Sequence, residues 1–133
     1  MSEVVADPKG VVVAFPLGIE FLEDHPLPNK FCIIRPGAEF GSPYTEGQRV
    51  NLWHRVHRDK PMKVLMGVAI VKMIIPTDFT RSLLHASHTN WAMHRGFLGE
   101  TARAWVKEMY EDNFKTDPNR PNVPVTVMYL TTV

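Results

Sequence analysis

Hydrophobic periodicity changes twice along this chain, and this change limits the available folds more than any other feature. Residues 50–57 alternate between apolar and polar side chains, the period-two pattern of a strand with two different faces. Residues 62–75 form a long apolar run, and we expect it to pair with the first segment as a hairpin across a turn at 58–61. Residues 100–113 instead place apolar side chains three and four positions apart, which predicts a helix. A closing strand is expected over 123–133.

Shorter segments complete the expected architecture. Residues 11–15 predict a strand buried on both faces, a second strand covers 31–34, and residues 37–48 have the composition of a long loop. Thr77 is expected to cap a short helix that runs to Leu84. The order of elements predicts an α+β fold, a small β-barrel of mostly antiparallel strands with two or three helices packed at the side. A barrel is favoured because it removes exposed strand edges.

The length of 133 residues is typical of one domain. We expect a flexible N-terminal tail over residues 1–9 and a single domain over 10–133. Fifteen Lys and Arg oppose fourteen Asp and Glu, so net charge alone favours no class of partner. Residues 49–63, however, hold five Lys or Arg against one Asp, and residues 79–99 contain no acid. This asymmetry predicts a local positive field on a nearly neutral protein.

Cysteine content and hydropathy indicate the compartment. Cys32 is the single cysteine, so an internal disulfide is excluded, and its place in an apolar strand favours a buried, inert thiol. The apolar run over 64–76 is interrupted by Lys72 and is too short to span a bilayer as a helix. The N-terminus lacks the pattern of a secretion signal. We therefore expect a cytoplasmic protein that does not contact the membrane.

The spacing of the histidines and glycines matches neither a metal motif nor a nucleotide-phosphate motif. The six histidines match no zinc spacing, and on a strand His54 and His57 would point to opposite faces. Gly37, Gly41 and Gly47 are scattered and are not followed by the Lys-Ser or Lys-Thr pair of a phosphate loop. We expect neither a metal nor a cofactor.

Three segments are distinctive in their order along the chain. They are residues 30–35 (Lys-Phe-Cys-Ile-Ile-Arg), residues 46–53 (Glu-Gly-Gln-Arg-Val-Asn-Leu-Trp), and residues 94–97 (His-Arg-Gly-Phe), which lead into the Trp105 helix and a Val-Thr-Val strand at 125–127. In this order they resemble the ASCH domains of the PUA-like superfamily, small β-barrels associated with recognition of RNA or modified nucleotides. The resemblance covers nearly the whole chain from its first strand.

The resemblance implies a PUA-like barrel that binds RNA, single-stranded nucleic acid or a modified nucleotide or nucleoside in a basic cleft between barrel and helices. In such a cleft lysine supplies a point charge, arginine a bidentate donor pair, and tryptophan a stacking surface. The residues implied for nucleic-acid binding are Lys30, Arg35, Trp53, Arg55, His57 and Arg95. For each of them, a solvent-facing or packing role is the alternative.

Catalysis is a second hypothesis. The family's signature before the first hairpin is Lys-Thr-x-Thr-x-Arg, and here Lys30 and Arg35 match while Phe31 and Ile33 occupy the threonine positions. Amidohydrolases of the family, which act on acetylated cytidine, use a lysine, a threonine and a glutamate. We therefore assign no catalytic residue. The alternative is a small amidohydrolase acting on acylated nucleosides, in which Lys30 and a carboxylate such as Glu46 transfer protons.

A third hypothesis is an interaction or assembly protein, for instance of viral or phage origin. The long loop at 37–48 and an apolar surface would then join a homodimer or a larger assembly. The lack of a complete catalytic motif is compatible with this function. A strictly monomeric state in solution would count against it.

Overall fold

The computed structural model describes residues 11–12, 28–55, 63–114 and 123–133. The predicted tail, the predicted turn at 58–61, residues 13–15 of the first predicted strand, and His57 lie outside these residues. Within the described part of the chain, no helix is long and apolar enough to cross a membrane. The elements in chain order are strands β1 (Val11–Val12), β2 (Lys30–Pro36), β3 (Arg49–Arg55) and β4 (Lys63–Asp78), helix α1 (Phe79–Ser82), a 3-10 helix (Leu83–His88), helices α2 (Asn90–Arg95) and α3 (Gly99–Phe114), and strand β5 (Pro124–Thr132).

One five-stranded sheet forms the centre of the fold, in the order β1-β3-β4-β5-β2. β1 runs parallel to β3, and the other neighbouring strands are antiparallel. The four antiparallel strands curl into a half-barrel, accompanied by about three helices. The predicted α+β class and the predicted β3-β4 hairpin are therefore confirmed.

The two faces of the sheet bury two separate apolar clusters, because successive strand residues point to opposite faces. On β2, Cys32 and Ile34 pack towards the helices, whereas Phe31 and Ile33 pack on the opposite side. We call these the helix-side face and the far face. The far-face cluster contains Val11, Phe31, Ile33, Val50, Leu52, Ala69, Val71, Met128 and Leu130. Each large apolar side chain buried in this way contributes roughly 1.5–3 kcal/mol.

The first helix begins one residue later than the sequence predicts. Thr77 is not its N-cap, because β4 continues past Pro76 and Thr77 still pairs with Val125 of β5. Asp78 is the cap instead: its side chain accepts a hydrogen bond from the backbone N–H of Arg81 at 2.8 Å. A carboxylate at this position also interacts favourably with the positive end of the helix.

The predicted amphipathic helix is confirmed as α3. Its residues Ala102 and Val106 are fully buried against the helix-side cluster. Trp105 makes edge-to-face contacts with Trp91 of α2 and with Phe97, at ring-centroid distances of 6.1 and 5.6 Å. This aromatic cluster connects α3 to α2 and to the chain segment between them.

Backbone from the helical segment covers part of the free edge of β2. Thr89, which follows the 3-10 helix directly, forms a parallel bridge with Cys32. The hydroxyl of Thr89 then accepts a hydrogen bond from the backbone N–H of Ala92 and so caps α2. Covering an edge strand limits pairing with other chains. The same bridge places His88, the preceding residue, beside β2.

Gly41 gives a stability prediction that tests the packing of the 37–48 loop on the sheet. A Cβ atom at Gly41 would overlap Cγ2 of Ile74, so Gly41→Ala forces a buried contact to move. We expect a loss of about 1–3 kcal/mol in the free energy of unfolding, measured by urea titration. In an Ile74→Ala background, which removes the opposing methyl, the cost of Gly41→Ala should shrink. An equal cost in both backgrounds would contradict the contact.

Candidate ligand-binding site

Among the described residues, the helices cover only part of the helix-side face, and an end of that face without helices begins at the first residue of β2; we call it the open end. Lys30 pairs with Thr131, Thr131 with Ile70, and Ile70 with Arg49, so these four residues form a row across four strands. We call it the outer row. Lys30 and Arg49 are both exposed and stand at its two ends, three strand spacings or about 14 Å apart.

A second row lies between the outer row and the helices. Cys32 pairs with Tyr129, and Tyr129 pairs with Met73. The register shifts between Val71 and Met73, so that Lys72 is the extra residue of a bulge in β4. The side chain of Lys72 is exposed. The side chain of Met73 is 49% exposed, although it lies next to β5, a strand with many buried residues. The bulge thus adds a third exposed cation, on β4, two residues beyond Ile70 of the outer row.

Two histidines converge on the hydroxyl of Tyr129. Its Oη lies 2.6 Å from Nδ1 of His85 and 3.2 Å from Nδ1 of His88. The tyrosine ring meets the His85 ring edge-on, with centroids 5.5 Å apart. Both histidines lie on the 3-10 helix, in which residues three apart are stacked on the same side. Local helix geometry therefore aims both imidazoles at one strand residue.

The surroundings of the triad of Tyr129, His85 and His88 favour the uncharged forms of Tyr129 and His85. Burial lowers the pKa of His85, and the electrostatic interaction with His88 lowers it further. Burial raises the pKa of Tyr129 to about 12, and the neighbouring Cys32 contributes to the rise. Near neutral pH the site therefore contains a protonated phenol and an uncharged His85.

Cys32 is fully buried next to the triad, as the sequence predicts. Its thiol donates a weak hydrogen bond to the backbone carbonyl of His85, with a sulfur–oxygen distance of 3.5 Å. Burial raises the pKa of the thiol to about 12, although the neighbouring Tyr129 hydroxyl opposes the rise. Thiolate is the nucleophilic form, so this cysteine is unreactive at neutral pH.

The sequence-predicted binding residues fall in several places. Lys30 lies on the helix-side face, two residues before Cys32 on β2. Trp53 lies on the same face, because it is two residues beyond Asn51 and four beyond Arg49 on β3. The buried Val50 and Leu52, which alternate with these residues, point to the far face. Arg35 shares the far face with Phe31 and Ile33, and its Nη1 donates to the carbonyl of Ile34 at 3.3 Å. Arg95 is exposed at the end of α2.

The remaining predicted binding residues carry less structural information. The backbone of Arg55 lies in β3, opposite Lys63, but its side chain is not among those described, and His57 lies outside the described residues. Lys30 and Trp53 therefore share one face of the sheet but lie on β2 and β3, which are separated by β5 and β4. Arg35 lies on the other face of β2.

Sequence reasoning did not place the other residues of the open end in a ligand-binding site. These are Arg49, Lys72, Met73, His85, His88 and Tyr129. The spacing of three between the two histidines is a signal only if the segment is known to be a 3-10 helix. The bulge at Lys72 and the register of β5 leave no recognisable mark in the residue pattern.

Comparisons with known proteins were made for the whole chain. No family model, no curated protein and no solved structure matches it. Within the described residues, no group of three or more His, Cys, Asp and Glu side chains is arranged to hold a metal ion.

Proposed function

We propose that the protein binds single-stranded nucleic acid, with RNA as the preferred form, along the open end of the helix-side face. We call this surface the basic face and define it by Lys30, Arg49, Lys72, His85, His88 and Tyr129. The observation that carries the proposal is the outer row, in which Lys30 and Arg49 stand exposed at the two ends of one cross-strand register.

The charge pattern of the basic face suits a phosphate backbone. The separation of about 14 Å between the ends of the outer row is long enough for more than one phosphate of an extended strand. Neither the outer row nor the Cys32-Tyr129-Met73 row contains a carboxylate among its residues. The charged residues of these two rows are therefore cations, although the chain as a whole carries a formal charge of only +1.

The basic face also offers surfaces on which bases could rest. Tyr129 and Met73 are neighbours, and both are partly exposed. Stacking of a base on an aromatic ring is worth roughly 1–3 kcal/mol and does not depend on which base is present. The combination of cations with an aromatic side chain is typical of proteins that bind single strands.

An ASCH-like barrel of the PUA type is part of this proposal. The curled antiparallel sheet with helices at one side is compatible with that architecture. Of the two residues that match the family signature, Lys30 belongs to the basic face and Arg35 lies on the opposite face of β2.

Binding across a salt series tests the proposal directly. A fluorescently labelled single-stranded RNA and the DNA of the same sequence are titrated by anisotropy between 50 mM and 200 mM salt. We expect log K to fall linearly with log salt, with a slope of about −0.7 per phosphate contact, and RNA to bind more tightly than DNA. Absence of binding at low salt, or affinity that salt does not change, would overturn the proposal.

A further inference from the structure

The hydroxyl of Tyr129 lies between the imidazole rings of His85 and His88, and this position limits which ring nitrogens can carry a proton. Tyr129 has one O–H proton to donate, so it donates to one histidine and accepts from the other when both rings are neutral. The sulfur of Cys32 also lies within reach of the hydroxyl, but sulfur is a weak acceptor. The proton of the hydroxyl therefore goes to a ring nitrogen.

The two distances favour one assignment of these donor and acceptor roles, which depend on the tautomer of each ring. The 2.6 Å contact between Oη and Nδ1 of His85 fits a short bond donated by the hydroxyl. The 3.2 Å contact with Nδ1 of His88 fits an N–H group that donates to the tyrosine oxygen. His85 then carries its proton on Nε2, and His88 carries its proton on Nδ1. Tyr129 thus holds the two histidines in opposite tautomers.

We propose that His85 and His88 together read the hydrogen-bonding edge of a nucleobase. With Nδ1 of each ring engaged by Tyr129, Nε2 is the nitrogen that can meet a ligand, as a donor on His85 and as an acceptor on His88. A nucleobase edge such as that of uracil presents an N–H group beside a carbonyl, which matches one acceptor and one donor. This inference rests on the proposed nucleic-acid function.

The placement of the pair supports the same ligand. His88 is exposed and lies next to Thr89, whose backbone bridges Cys32, and Lys30 is two residues before Cys32 on the same face of β2. A strand whose phosphates contact the outer row would therefore pass beside the histidines. Met73, which pairs with Tyr129 on β4, provides a half-exposed apolar side chain. Phosphate contacts position the strand, and the histidine pair adds base readout.

The tautomers are measured first, without any ligand. Long-range ¹H–¹⁵N spectra of protein labelled at histidine distinguish Nδ1–H from Nε2–H rings, and His85→Gln and His88→Gln spectra assign the signals. At pH 8 we expect His85 as Nε2–H and His88 as Nδ1–H. Tyr129→Phe removes only the hydroxyl, and in this variant His85 and His88 should no longer be held in opposite tautomers. The same tautomer for both rings in the wild-type protein would overturn the inference.

Base readout is measured second, with a uridine oligomer and its 3-methyluridine counterpart, in which a methyl group replaces the N–H donor. We expect the wild-type protein to bind the uridine oligomer about tenfold or more tightly than the methylated one. Tyr129→Phe should lose this preference and keep its salt slope. Equal affinity for both oligomers with a normal salt slope would overturn base readout and leave nucleic-acid binding intact. Failure to bind either oligomer would overturn both.

Discussion

Replacing both Lys30 and Arg49 by alanine is expected to weaken binding of single-stranded RNA about 25-fold at 0.1 M salt. Each cation lies at one end of the outer row and is assigned one phosphate contact. For single strands each contact contributes about 0.7 to the slope of log K against log salt, so the double variant should lose about 1.4 from the slope. The affinity extrapolated to 1 M salt should stay unchanged. Anisotropy titrations of the same labelled RNA measure both quantities.

A charge-matched control separates the local effect from a change in net charge. Arg103→Ala with Lys107→Ala also removes two positive charges, but from α3, on which Arg103 pairs with Glu100 at 2.7 Å. This variant should bind RNA nearly as well as the wild type and keep its salt slope. Equal losses in both double variants would show that binding follows net charge rather than the basic face.

The strands and the long helix could be predicted because burial leaves a period in the sequence. Val50 and Leu52 alternate with polar residues and do pack in one cluster, and the apolar stripe of Ala102 and Val106 does face the core. These patterns reflect one buried face and one open face of each element. Thr77 was misjudged as a helix cap for a related reason. Backbone pairing of β4 with β5 extends through Pro76, and that pairing leaves no side-chain period.

The candidate site could be predicted only in part because it depends on register. Lys30 was singled out from its place in a strand, but its relation to Arg49 requires the pairing of four strands. Arg35 shows that two residues at the two ends of one strand need not lie on the same face of the sheet. It is five residues from Lys30, an odd number, and therefore lies on the opposite face. A nucleic-acid role for Arg35, Arg55, His57 and Arg95 stays a prediction.

The histidine pair illustrates a further limit. His85 and His88 are three residues apart, a spacing that does not reveal what the two side chains contact. Their actual partner is a tyrosine 41 and 44 residues away in the chain. Only the docking of the 3-10 helix onto β5 makes the three side chains neighbours. Long-range contacts of this kind have no local sequence signature.

Alkaline pH is expected to destabilise the protein through the buried thiol of Cys32. Its pKa rises from an ordinary value of 9.0 to about 12 on folding, because burial penalises the thiolate. Between pH 9 and pH 12 the unfolded chain therefore loses this proton while the folded protein keeps it. The unfolded state then binds fewer protons, so the free energy of unfolding falls as pH rises. The loss from this group approaches about 1.4 kcal/mol per pH unit above pH 9.

Urea titrations at pH 8, 9 and 10 under reducing conditions measure this loss, and Cys32→Ala isolates the thiol from the other groups that titrate in the same range. The variant should be less stable than the wild type at pH 8, since it leaves a small cavity, but its stability should fall less steeply with pH.

Tyr129→Phe provides the second comparison. The pKa of Tyr129 also rises to about 12, and its neighbour Cys32 contributes to the rise, so the two contributions are coupled and should not add. Parallel pH profiles for the wild type and Cys32→Ala would show that the thiol ionises as easily in the folded protein as in the unfolded chain. This result would contradict the burial of Cys32 against Tyr129 and the 3-10 helix. It would also contradict the packing that brings His85 and His88 to the sheet.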